Sequence, residues 1–212
     1  VIQTAGDISN FFSNIWPISF FSFEDLRLFF SLVLIAISCI IMGAGIPTTA
    51  TYIILVAVAA PALAQLGIEP LVAHFFVFYY GVLADITPPV ALAAYAASGI
   101  AKSNPFKTGN TAFRLGIAKA LVPFVFVYSP SLLLITGEFQ ANQLIITLIG
   151  TLIGIALIGI AFTGYWFRSL TKYEQILIGI GSLFFVAPGT GSMIIGLLIV
   201  LPMLFLQFYK KN

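Results

Sequence analysis

The chain has 212 residues but only 16 charged side chains, nine Lys/Arg and seven Asp/Glu, while 60% of its residues are hydrophobic and its mean hydropathy is +1.11. A soluble domain carries roughly 25% charged residues and cannot hide this much apolar surface, so the composition indicates an integral membrane protein. The net charge of +2 gives no reason to expect nucleic acid, because the basic residues sit in short clusters between apolar runs. Charge-free runs of 41, 29 and 35 residues separate Arg27 from Glu69, Glu138 from Arg168, and Glu174 from Lys210. A spanning helix needs about 20 apolar residues, and the alternating segments of roughly ten residues typical of a membrane barrel are absent. The expected fold class is all-α and polytopic.

Residues 1–23 mix polar and aromatic side chains, as an interfacial or connecting segment would, and the start at Val1 with no basic signal region reads as a piece of a longer protein. A helical hairpin is expected over 24–66: Glu24 and Asp25 suit a first helical turn, and the tip lies at 43–49, Gly43-Ala44-Gly45-Ile46-Pro47-Thr48-Thr49. Cys39 lies inside the first arm and reads as a packing residue. Gly67-Ile68-Glu69-Pro70 closes the second arm.

One span is expected over 70–101, cut at 85–89 by Asp85-Ile86-Thr87-Pro88-Pro89 into charge-free pieces of 15 and 16 residues, each too short to cross alone. A helix ending near Ala84 and another beginning near Val90 flank the break. A cytoplasmic basic loop follows at 102–111, then a transmembrane helix at 112–136, another at 141–164, and a helical pair over 173–208 broken at 187–191. Eight of the nine basic residues form three clusters: Lys102, Lys107, Arg114 and Lys119; Arg168 and Lys172; Lys210 and Lys211. The positive-inside rule places these in the cytoplasm and Glu138 outside.

Two helix interruptions at membrane depth form the candidate site. Unwound backbone survives in a bilayer only where protein or a water-filled cavity surrounds it. Facing half-helix ends offer carbonyls to a cation and N–H groups to an anion, the sequence pointer to a secondary-transporter site. Gly43, Gly45, Pro47, Thr48, Thr49, Asp85, Thr87, Pro88 and Pro89 are therefore the candidate substrate- and ion-binding residues. Thr48, Thr49, Thr51 and Thr87 supply hydroxyls, some of which bond back to their own helix. Asp85 is costly at this depth, by about 2.5–3.5 kcal/mol on insertion scales. Ion binding or gating, a helix cap, or pairing with a residue elsewhere each accounts for it. His74 lies 11 residues before Asp85, about 16 Å along a helix, so the two cannot pair, and His74 reads as interfacial.

Met42 to Ala50 resembles the hairpin tip of tripartite ATP-independent periplasmic (TRAP) transporters. Ala73-His74-Phe75-Phe76-Val77-Phe78-Tyr79-Tyr80 leading into Asp85-Ile86-Thr87-Pro88-Pro89-Val90-Ala91-Leu92-Ala93-Ala94-Tyr95-Ala96 is similar to the same family's broken helix. Pro105-Phe106-Lys107-Thr108-Gly109 and Ala112-Phe113-Arg114-Leu115-Gly116 are also similar to that family. The resemblance is closest to the fused large permease associated with TAXI-type receptors. It covers about 30–135 and extends weakly to Gly164-Tyr165 and Tyr173-Glu174.

It implies the second of two inverted repeats of an elevator-type permease, a re-entrant hairpin plus discontinuous helix followed by C-terminal transmembrane helices. The first repeat and a fused small membrane subunit would lie upstream. It implies sodium as coupling ion, with no other cofactor, and a small carboxylate delivered by a periplasmic solute-binding receptor across a bacterial or archaeal cytoplasmic (inner) membrane. Carried over by position, carbonyls around Gly43 and Gly45 with the Thr48 or Thr87 hydroxyl would bind sodium. No arginine stands at the breaks to clamp a carboxylate. The alternatives are a polytopic membrane enzyme, for which no nucleophile, acid dyad or metal cluster is spaced usefully, and a channel or structural subunit, for which no repeated pore motif is present.

Overall fold

The computed structural model describes residues 2–4, 6–8, 23–134, 141–187 and 189–209. Among them the fold is all α-helical, with one isolated bridge between Tyr165 and Ser169. Five stretches are long and apolar enough to cross a membrane: Glu24–Gly43, Thr48–Gln65, Pro105–Tyr128, Ala141–Thr163 and Thr190–Tyr209. The protein is thus a multi-pass membrane protein. Most of the 1–23 segment, together with Glu138, Pro188, Lys210 and Lys211, falls outside the described residues. The chain divides into two compact units, Val1–Leu92 and Ala93–Asn212.

The first unit holds α1 (Phe23–Gly43), α2 (Thr48–Gln65) and α3 (Pro70–Ala84). Buried residues recur every three or four positions along each helix: Leu32, Ile35, Ala36 and Cys39 on α1; Thr51, Leu55, Ala59 and Leu63 on α2; Val72, Ala73, Phe76, Val77, Tyr80, Leu83 and Ala84 on α3. That period puts them on one stripe of each helix, and the stripes meet. Helix α2 ends in a Schellman motif: Gly67 is left-handed (φ +76°), its N–H bonds to the Ala64 carbonyl and the Ile68 N–H to that of Leu63. Pro70 then occupies the first turn of α3, where its missing N–H costs nothing.

In the second unit, α4 (Leu92–Ile100, its first residue belonging to the first unit) precedes α5 (Pro105–Gly116), a 3₁₀ segment (Ile117–Leu121) and α6 (Val122–Tyr128). This corrects two expectations. The basic stretch 102–111 is a loop only at its start, because the Asn104 side chain accepts the Lys107 N–H and Pro105 preorganises the first turn, starting a helix there. The span expected over 112–136 therefore begins seven residues earlier. It tightens into 3₁₀ winding ahead of Pro123 and leaves the helical conformation at Ser129, the residue before Pro130.

Helices α7 (Ala141–Thr163), α8 (Lys172–Val186) and α9 (Thr190–Tyr209) pack around Leu157, Ala161, Ile178, Phe185 and Val200. Glycines bring the backbones together: a Cβ on Gly150 would stand 2.8 Å from the Phe185 carbonyl oxygen, and one on Gly181 2.6 Å from Val200 Cγ2. Small residues serve this purpose in membrane helices, which gain little from apolar burial in lipid. Thr171 and Glu174 form a capping box that starts α8. Arg168 bonds the same Glu174 carboxylate, so that the acid is paired where it is buried.

Candidate ion and substrate site

The hairpin tip is built by one left-handed glycine and one proline. Gly45 (φ +84°) reverses the chain after α1, and Pro47 precedes the first turn of α2. Thr51 locks this turn: its N–H bonds to the Pro47 carbonyl and its hydroxyl to the Ile46 carbonyl. Gly43 is buried where α1 meets both other helices, since a Cβ there would lie 2.9 Å from Thr51 Cγ2 and 3.0 Å from Ala84 Cβ. The close approach of Gly43 to Ala84 brings the tip against the end of α3, where the break begins.

At that end Asp85 caps α3, its N–H bonding to the Val82 carbonyl. Turn bonds from Ile86 to Leu83 and from Thr87 to Ala84 finish the helix, and the Pro88–Pro89 bond is cis. Helix α4 starts at Leu92, two residues later than expected. The reason is Ala91, which has φ +36°, outside the helical region, with its N–H bonded to the Thr87 carbonyl.

One bond joins the two interruptions directly. Thr48 Oγ1 donates to Asp85 Oδ2 over 2.6 Å, within the short range of hydroxyl-to-carboxylate bonds. Both side chains are half-buried. The Thr87 hydroxyl instead donates to the Leu83 carbonyl of its own helix at 2.7 Å, the back-bonding common for threonine in membrane helices. The Gly43 carbonyl accepts the Ile46 N–H at 3.4 Å. Pro47, Thr49, Gly45 and Pro89 are exposed and Pro88 half-buried. Among the described residues no three His, Cys, Asp or Glu side chains come together.

His74, which its position suggests is interfacial, has a partner on α2. Its Nδ1 is hydrogen-bonded to the Tyr52 hydroxyl at 2.7 Å, and the Tyr52 ring meets Phe78 edge-on at 5.9 Å. Periodicity along a single helix carries no signal for this pair, because its members stand on different helices.

Residues 19–141 match the family model of the tripartite ATP-independent periplasmic transporter, DctM component. The match covers more than half the chain and includes the tip, the break and helices α1 to α6. The chain belongs to this family. It is accordingly a TRAP permease component, a member of a transporter family. Neither the curated proteins nor the solved structures give a match. In this permease the candidate site lies entirely within the matched residues, which end at the first residue of α7 and leave the rest of α7, α8 and α9 beyond them.

Proposed function

We propose that this TRAP permease is the second-repeat portion of a sodium-coupled symporter that imports a small carboxylate handed over by a periplasmic solute-binding receptor. The observation that carries the reading is the Thr48–Asp85 hydrogen bond, which ties the hairpin tip to the helix break. A carboxylate and a hydroxyl at one point supply two of the hard oxygen ligands an alkali cation takes. Binding a cation there would also neutralise Asp85, which would otherwise repel an anionic substrate. The anion would then rest on half-helix N–H groups and on Thr49, which is exposed at the tip, together with groups of the upstream repeat. On this reading the protein works by an elevator motion in a bacterial or archaeal inner membrane, with a small membrane subunit fused upstream.

The test is uptake of a labelled dicarboxylate by proteoliposomes carrying the complete permease, with and without an inward sodium gradient and with and without receptor. Accumulation should need both; accumulation without sodium would defeat the proposal. The two threonines are expected to separate. Thr48→Ala should raise the sodium concentration for half-maximal uptake about tenfold, the equivalent of about 1.4 kcal/mol. Thr87→Ala, whose hydroxyl is committed to the Leu83 carbonyl, should shift it by less than about threefold. Equal shifts in a sodium titration would mean that the Thr48–Asp85 bond has no special part.

A further inference from the structure

We propose that Tyr52 and His74 are positioning residues for the Thr48–Asp85 pair, acting by fixing the register of α2 against α3; the functional half of this inference rests on the sodium-site reading above. The first turn of α2 has no side-chain cap. Beyond the bond to Asp85, it is held to α3 by small groups, with Thr51 Cγ2 lying 3.3 Å from where a Gly81 Cβ would stand. Contacts of this kind allow close approach but are not directional, and in lipid no difference in hydrophobicity penalises a helix that slides or rotates. A hydrogen bond does set direction. Tyr52 is one helical turn beyond Thr48 on α2, and its hydroxyl meets His74 Nδ1 on α3 at 2.7 Å. The ring itself is wedged edge-on against Phe78, one turn along α3 from His74, so the phenol can reach His74 from only a narrow range of α2 rotations.

Two polar cross-links one turn apart on α2 thus join the same two helices. The Tyr52–His74 bond lies outside both interruptions. Its effect falls on where Thr48 Oγ1 stands relative to Asp85. Losing it leaves Thr48 and Asp85 in place as chemical groups but lets the distance between them vary, which weakens cation binding without removing a ligand.

The experiment uses the complete permease with Tyr52→Phe, His74→Leu, the double variant, and His74→Asn, whose amide places a polar atom near the position of Nδ1. Tyr52→Phe and His74→Leu should each raise the sodium concentration for half-maximal uptake about three- to tenfold, with the maximal rate kept within about twofold. The double variant should be no worse than either single one, and His74→Asn should restore the wild-type value. In parallel, amide hydrogen exchange over residues 44–51 should quicken in Tyr52→Phe and His74→Leu. Unchanged half-saturation together with unchanged tip exchange would overturn the inference, as would strictly additive effects of the two substitutions. Should His74→Leu fail to accumulate, Tyr52→Phe, which removes a single oxygen atom, decides alone. If wild-type uptake ignores sodium, the sodium-site reading falls, while the exchange at the tip still decides whether Tyr52 and His74 hold it.

Discussion

Replacing Asp85 by Asn is expected to abolish sodium-driven accumulation while leaving the protein at full abundance in the membrane. Asn is isosteric with Asp, and its Oδ1 can still accept the Thr48 hydroxyl, so the geometry between tip and break is kept. Removing a charge at membrane depth also relieves an insertion cost of about 2.5–3.5 kcal/mol, which makes misfolding an unsuitable explanation for lost transport. What disappears is the attraction between a carboxylate and a cation. At about 4 Å and an effective dielectric of about 20 that attraction is about 4 kcal/mol, and losing even half of it weakens affinity about thirtyfold. A sodium titration of uptake, with the variant quantified in the same membranes, checks this. A wild-type sodium response would reduce Asp85 to the C-cap of α3.

The largest expected effect on stability lies in the other unit. Gly150→Ala would put a methyl group 2.8 Å from the Phe185 carbonyl oxygen and within 3.2 Å of the Met193 side chain. Methionine can move, but a helix carbonyl cannot without displacing α8, and overpacking of this kind costs about 1–3 kcal/mol. Gly159 stands on the same helix with nothing within 4 Å of its would-be Cβ. Gly159→Ala should therefore be neutral or slightly stabilising, since alanine is the better helix former by about 1 kcal/mol. Thermal unfolding in detergent should place Gly150→Ala clearly below wild type and Gly159→Ala at or above it. Equal midpoints for the two variants would mean that α7 and α8 are not packed through Gly150.

The fold class was readable because charge is expensive in lipid: the long runs after Arg27, Glu138 and Glu174 leave room only for membrane helices. The stretch 102–111, with Lys102 and Lys107, misleads for the same reason. Basic residues suggest a loop, whereas the local signal is Asn104-Pro105, a cap and a preset first turn, and a helix can carry lysine and arginine at a membrane surface. Arg114 in fact donates to the Phe162 carbonyl at the end of α7, a contact between residues 48 positions apart that no local pattern announces. The candidate site divides in a similar way. Gly45, Pro47 and the Pro88-Pro89 pair declare themselves by what they do to their own backbone. Thr48 and Asp85 stand out as polar groups between apolar runs, but that they face each other depends on how three helices pack. The pairing of Tyr52 with His74 was hidden for the same cause.

Thr51 is held from three directions at once. Its methyl group fills the space left by two missing side chains, at Gly43 and Gly81, and its hydroxyl closes the turn at the Ile46 carbonyl. Serine would keep the hydroxyl and leave a void, valine would fill the void and strand a carbonyl, and alanine would do neither. The glycines in turn are constrained by the threonine, since a Cβ at Gly43 would stand 2.9 Å from its methyl group and one at Gly81 3.3 Å, so that the methyl would have to shift for either. The three positions therefore form a single heritable unit: a change at any one is disfavoured until another has changed. The tip of this hairpin should drift more slowly through sequence space than the lipid-facing residues beside it.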